Sequence, residues 1–78
     1  MRYLLDALCM QTRGEAHAYL KEKLQLPEYY GNNLDALYDC VAERKDMEIE
    51  VRNLTGIEER SYVWRVINVL QNAGAKVL

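Results

Sequence analysis

The chain has 78 residues, of which 50% are hydrophobic and 28% charged, and its formal net charge at pH 7 is −2. This composition predicts one packed, soluble domain over residues 1–78 rather than a disordered chain. The acidic balance argues against nucleic acid as a direct ligand, because phosphate contacts need a basic face. The sequence has no long apolar run, signal peptide or lipidation motif, so we expect no membrane association and a cytoplasmic location.

The sequence contains no recognisable cofactor or metal motif. The two cysteines, Cys9 and Cys40, lack the close spacing of zinc or redox motifs. Two buried, reduced thiols are the preferred interpretation, and a single disulfide is the alternative. Glycine-rich phosphate loops and cofactor fingerprints are also missing from the sequence, so we expect neither a cofactor nor a metal ion.

The chain begins with a predicted strand and a predicted helix. Residues 2–7 include a continuous apolar run, which predicts a strand that is covered on both faces and central in its sheet. Thr12 and Glu15 have the spacing of a capping box, which predicts a helix from there to about Leu24. His17 falls outside the apolar face of this helix, and we expect it at the surface without a catalytic role. The apolar face comprises Ala16, Tyr19, Leu20 and Leu24.

A loop and a second helix follow. Pro27 ends the first helix because it lacks an N–H group, and Gly31 is expected to adopt a turn conformation that a side chain would disfavour. Asn32 or Asn33 can then cap a helix that runs to about Glu43. Its apolar stripe comprises Leu34, Leu37 and Val41.

The pattern of apolar residues in the last third of the chain predicts a strand, a helix and a second strand. Apolar and charged residues alternate over residues 47–52, which predicts a strand with one buried face, typical of a sheet edge. A third amphipathic helix is predicted from residue 57 or 58 to residue 72, and a short strand over residues 75–78. Strands that alternate with helices predict an α/β fold: a three-stranded parallel sheet packed against three, possibly four, helices.

Acidic side chains are concentrated on the second helix. Asp35 and Asp39 are four residues apart and therefore share a face, with Glu43 one turn further on. Residues 28–43 hold four acids and no Lys or Arg, a local charge of −4 in a chain whose net charge is −2. The pattern is typical either of a solvated acidic face or of a surface that binds a cationic groove. No histidine accompanies the two aspartates, so the pattern does not indicate an enzyme.

Residues 26–40 carry a family resemblance. The matching segments are Leu26-Pro-Glu-Tyr-Tyr-Gly31, Asn33-Leu-Asp-Ala-Leu37 and Asp39-Cys40. They closely resemble the signature segment of the barstar family of intracellular ribonuclease inhibitors, and the order of predicted strands and helices is similar over the whole chain. The resemblance implies the same α/β fold and an inhibitor of a microbial ribonuclease, of the immunity or antitoxin type.

The resemblance also implies which residues bind. Asp39 would be the central anchor in the ribonuclease's basic active-site groove, where substrate phosphate would otherwise lie, and Asp35 would pair with a second cationic group. The surrounding contacts would come from Tyr29, Gly31, Asn33, Leu34 and Tyr38. The partner would be a ribonuclease toxin, with no direct contact to nucleic acid.

The chain departs from the family pattern at three positions. Tyr38 and Arg44 stand where the family has tryptophans, and Val69 stands where it has a third interfacial acid. These changes lie at the rim of the binding surface, where specificity is commonly determined. The alternative function is a barstar-like interaction or immunity module whose partner is not a ribonuclease.

Overall fold

The computed structural model describes residues 2–78, which form an α/β domain with a three-stranded sheet. A single 3-10 turn, Ala7–Cys9, follows the first strand. The strands are β1 (Arg2–Asp6), β2 (Glu48–Arg52) and β3 (Lys76–Val77), and the helices are α1 (Arg13–Lys23), α2 (Leu34–Ala42) and α3 (Tyr62–Asn72). The predicted fold class and element order are therefore confirmed. No helix within residues 2–78 has the length and apolar character needed to cross a bilayer.

The order of the strands differs from the expectation. The sheet is parallel with order β1-β2-β3, so β2 is central and β1 is an edge strand. Leu5 and Ile49 are fully buried, whereas Leu4 is 50% exposed on the opposite face of β1. Only one face of the sheet is covered, so the edge strand β1 and the central strand β2 each have a single fully buried side chain, on the covered face. A short apolar run therefore indicated a strand correctly but did not indicate its place in the sheet.

Local capping fixes most of the helix ends. The Thr12 hydroxyl accepts a hydrogen bond from the Glu15 N–H at the start of α1, as the capping-box spacing predicts. Helix α3 begins four or five residues later than expected, because Ser61 caps it and residues 54–61 form turns instead. Gly74, with φ of 103°, ends α3 in a Schellman motif that also satisfies the Leu70 and Gln71 carbonyls.

The core lies between the covered face of the sheet and the three helices. Helix α2 contributes Leu37 and Val41, both essentially inaccessible to solvent, and it packs directly on α3. Leu34, the third residue of the predicted stripe, is only half-buried. The most buried large side chains of the other elements are Leu5, Met10, Leu20, Leu24, Ile49, Val63, Val66 and Leu70. This packing holds α2 in place and leaves its opposite face in solvent.

Candidate functional site

The loop before α2 is built around Asn32 and Asn33. Asn33 is the helix cap, and its side-chain oxygen accepts a hydrogen bond of 2.7 Å from the Ala36 N–H. Asn32, with φ of 54°, takes the left-handed conformation. The expected turn conformation at Gly31 is wrong, since Gly31 is not among the residues with positive φ. Glycine is favoured there for a steric reason instead, because a Cβ at position 31 would lie 3.3 Å from the side-chain Nδ2 of Asn33.

The structure brings the seven candidate binding residues onto one continuous segment, α2 and the loop that precedes it. Tyr29 is 85% exposed and Tyr38 is 44% exposed. Asp35, Asp39 and Gly31 are also exposed, while Asn33 and Leu34 are half-buried. The segment therefore presents two carboxylates and two tyrosines to solvent, and the opposite face of α2 is anchored in the core.

The two aspartates do not take part in any ion pair among the described residues. The ion pairs recorded within residues 2–78 join Arg2 to Glu48, Lys21 to Glu28 and Arg52 to Glu50. Lys21 lies 3.8 Å from Glu28, so one of the four acids in the segment has a cation from α1 beside it. As far as residues 2–78 are concerned, the carboxylates of Asp35 and Asp39 can therefore pair with cations on another molecule.

A buried hydrogen-bonded cluster supports the loop from beneath. His17 is 1% exposed, which shows that its expected surface position is wrong. Its Nδ1 lies 2.5 Å from the Tyr30 hydroxyl and its Nε2 lies 2.7 Å from the Tyr62 hydroxyl. The Tyr30 hydroxyl is also 3.5 Å from the Asn33 carbonyl oxygen. The cluster thus joins α1, α3 and the residue that caps α2.

His17 in its neutral form donates a hydrogen bond from one ring nitrogen and accepts one at the other. One of the two tyrosine hydroxyls therefore accepts from the ring and the other donates to it. Burial lowers the pKa of His17, and the positive charge of Arg13 lowers it further. Burial raises the pKa of Tyr30 as well, so the cluster is uncharged at neutral pH.

Sequence reasoning missed this cluster because its members are far apart in the chain. The His17 position lies at the margin of the apolar face of α1, and its partners are 13 and 45 residues away. Two sequence signals could have suggested it: His17 has i, i+3 and i+7 spacing with Leu20 and Leu24, and the chain offers six tyrosines as hydrogen-bond partners. Neither signal identifies which tyrosines are involved.

Arg44, which stands where the barstar family has a tryptophan, makes structural hydrogen bonds that the family resemblance did not suggest. Its guanidinium group donates hydrogen bonds to the Leu24 and Gln25 carbonyl oxygens, at 2.5 and 3.0 Å. Gln25 has φ of 53°, an unusual left-handed conformation for a residue with a side chain, and it follows the end of α1. Arg44 therefore caps the C-terminus of α1 with charge-assisted hydrogen bonds.

The described residues form no metal-binding cluster, and their two cysteines are unpaired with each other. No group of three or more His, Cys, Asp or Glu side chains within residues 2–78 is arranged to hold a metal ion. Cys9 and Cys40 are free thiols, and both are half-buried rather than buried as expected. Burial and the nearby Glu43 carboxylate raise the pKa of Cys40, so it is not an activated thiolate.

Comparisons with known proteins agree with this architecture. The family model for barstar, described as the barnase inhibitor, matches residues 2–77. A curated protein of Bacillus subtilis (strain 168), named "Putative ribonuclease inhibitor YrdF", is 52% identical over 48 residues. That alignment covers 62% of this chain and 53% of the relative, so the chain matches about half the length of that protein. The chain belongs to the barstar family.

Proposed function

We propose that this protein inhibits a ribonuclease by inserting α2 and its leading loop into the basic active-site groove of the enzyme. The observation that carries the proposal is a pair of exposed carboxylates, those of Asp35 and Asp39, which have no ion-pair partner within residues 2–78. They lie on a helix that is fixed by buried Leu37 and Val41. Membership of the barstar family and the ribonuclease-inhibitor name of a relative support the same function.

Each candidate residue has a role in this proposal. Asp39 occupies the position of the substrate phosphate and pairs with the cations that would hold it, and Asp35 pairs with a second cation. Tyr29 and Tyr38 supply large, rigid contact areas beside the charges, as aromatic residues do in many interface centres. Gly31, Asn33 and Leu34 shape the loop, since a Cβ at position 31 would crowd the Asn33 side chain that caps α2.

The inhibitor acts by occupation of the groove and not by chemistry. Because the capped helix and the buried cluster fix the loop before binding, little conformational entropy is lost when the complex forms. The acidic face also attracts a cationic enzyme over a distance, so association is fast at low ionic strength and slows as salt is added. In this proposal the protein acts in the cytoplasm, as an immunity or antitoxin protein that neutralises a nuclease made by the same cell.

The experiment is an RNA-cleavage assay against a panel of small cationic microbial ribonucleases, with barnase included. Wild-type protein, an Asp35→Asn/Asp39→Asn variant and a control variant, Glu58→Gln/Glu59→Gln, are titrated against each enzyme. The control removes the same charge from an exposed turn outside α2. The proposal is supported if wild type and the control variant inhibit a ribonuclease and the Asp35→Asn/Asp39→Asn variant does not. Inhibition by none of the three proteins favours the alternative, an interaction module with another kind of partner.

A further inference from the structure

A cleft of about 250 Å³ adjoins the proposed binding surface. Asn33, Leu34 and Asp35 form one wall, so three of the proposed contact residues line it. The rest of the lining consists of Arg13, Tyr62 and Arg65, from the first turns of α1 and α3. The acidic surface of α2 is therefore bordered on this side by two arginines, although residues 28–43 contain none.

The two arginines are available to a partner. Both are exposed, and neither takes part in an ion pair among the described residues. Arg13 and Arg65 line the same cleft as Tyr62, so both can present a guanidinium group to a molecule that enters it. The N-termini of three helices meet at the same cleft, and their dipoles add to its positive potential.

No acid on the neighbouring part of α3 offsets this charge. Val69 lies one helical turn after Arg65 and is half-buried against the core. Of the three residues between them, only Asn68 is exposed, and its side chain is polar and uncharged. The surface therefore changes from negative at Asp35 and Asp39 to positive at Arg65 within the width of two packed helices.

This change of sign restricts the partners that can bind. An enzyme that places cations against Asp35 must bring the edge of its groove against Arg13 and Arg65. If that edge is also cationic, like charges face each other in a partly desolvated contact, which disfavours the complex. If that edge carries a carboxylate, each arginine can donate paired hydrogen bonds to it.

We infer that Arg13 and Arg65 determine target specificity, by pairing with a carboxylate at the edge of the target nuclease's groove and repelling nucleases whose groove edge is uniformly basic. This inference rests on the proposed function and names the charge pattern of the partner that fits it. The arginines select among cationic nucleases, and the aspartates provide the common attraction to all of them.

The first test uses barnase as the probe. Its affinity is measured for wild type, for Arg13→Gln/Arg65→Gln and for a control, Arg2→Gln/Arg52→Gln. The control makes the same change in net charge on the exposed face of the sheet, where both arginines are already paired with glutamates. We expect the cleft variant to bind barnase about tenfold more tightly than wild type, and the control to show a much smaller change. Three results would overturn the inference. All three proteins could bind barnase with equal affinity, both variants could gain affinity equally, or neither wild type nor the cleft variant could bind.

The second test introduces the missing charge into the probe. A set of barnase variants is prepared in which each Lys or Arg bordering the groove is replaced singly by Glu. We expect at least one to bind wild type more tightly than unmodified barnase does, with no such gain for Arg13→Gln/Arg65→Gln. The inference is contradicted if no barnase variant binds wild type more tightly than unmodified barnase does. It is also contradicted if Arg13→Gln/Arg65→Gln shows the same gain in affinity as wild type. If either contradicting result is found and Asp35→Asn/Asp39→Asn still loses binding, only the role of the arginines is rejected. The proposed function then stands.

Discussion

The hydroxyl of Tyr30 provides the sharpest test of how the binding loop is held. Tyr30→Phe removes one oxygen atom and keeps the ring, so the packing of this side chain, which is only 5% exposed, is retained. The change deletes the hydrogen bond to His17 Nδ1 and the longer contact with the Asn33 carbonyl. Because His17 is buried, water cannot easily replace the lost partner.

The expected cost follows from that burial. A buried polar atom left without a partner costs about 1–3 kcal/mol in free energy of unfolding, whereas a hydrogen bond that water can replace contributes about 0.5–1.5 kcal/mol. In a domain of this size each kcal/mol lowers the melting temperature by about 4–8 °C. The matched control is Tyr19→Phe, since the half-buried Tyr19 hydroxyl bonds the Asp6 N–H far from the cluster.

Two measurements check this prediction. Urea denaturation followed by circular dichroism gives the free energy of unfolding for wild type and both variants, and we expect the larger loss in Tyr30→Phe. Hydrogen exchange at the Ala36 amide reports on the Asn33 cap, and we expect faster exchange in Tyr30→Phe than in Tyr19→Phe. A loss below about 0.5 kcal/mol, the lower bound for a net hydrogen bond, would show that the cluster does not hold the loop.

Four further predictions concern ionisable side chains. Arg44→Met loses two hydrogen bonds to the end of α1 and is expected to destabilise the protein by about 1–3 kcal/mol in urea denaturation, whereas the exposed neighbour control Lys45→Met is expected to have almost no effect. Since burial lowers the pKa of His17, the unfolded chain takes up a proton at a higher pH than the folded one. Stability is therefore expected to fall as pH decreases below 6.5, by at most about 1.4 kcal/mol per pH unit, and His17→Gln is expected to flatten this dependence between about pH 7.5 and 5.5. Asp35→Asn and Asp39→Asn relieve a repulsion of about 0.2–0.5 kcal/mol, so their denaturation midpoints are expected to equal or slightly exceed that of wild type, and a large decrease would show that these acids are structural. Asp39→Ala is expected to weaken binding of an inhibited ribonuclease by about 2 kcal/mol or more in calorimetry, the scale of a central interface anchor, and unchanged affinity would reject its assignment.

The sequence predicted the fold and the local structure of the candidate site because both depend on short-range signals. Hydrophobic periodicity located the three helices and the strands, and Thr12 caps α1 as the capping-box spacing indicated. Asn33 caps α2 and is one of the two residues, Asn32 and Asn33, that the sequence offered. Ser61 was not recognised as a cap because the residues before it have ordinary helical propensity. The position of β1 at the edge was missed because strand order depends on which faces the helices cover, and a five-residue strand carries little of that information.

The surroundings of the site depend on long-range contacts that a local window does not contain. The burial of His17 depends on Tyr30 and Tyr62, whose hydroxyls form hydrogen bonds with its two ring nitrogens from other parts of the fold. The charge count over residues 28–43 described an acidic segment correctly, but the fold places Arg13 and Arg65 beside it. Tertiary structure thus supplied the support beneath the loop and the basic border of the surface.

The most direct test of the central claim is affinity capture from lysate and secreted fractions of the source organism. Wild type and Asp35→Ala/Asp39→Ala serve as parallel baits, and captured proteins are identified by mass spectrometry and assayed for RNA cleavage. The account predicts a basic ribonuclease that wild type retains and inhibits and that the variant does not retain. A partner without nuclease activity that is lost with the two acids would keep the site and contradict the proposed function. Equal capture by both baits would show that the acidic face of α2 is not the binding surface.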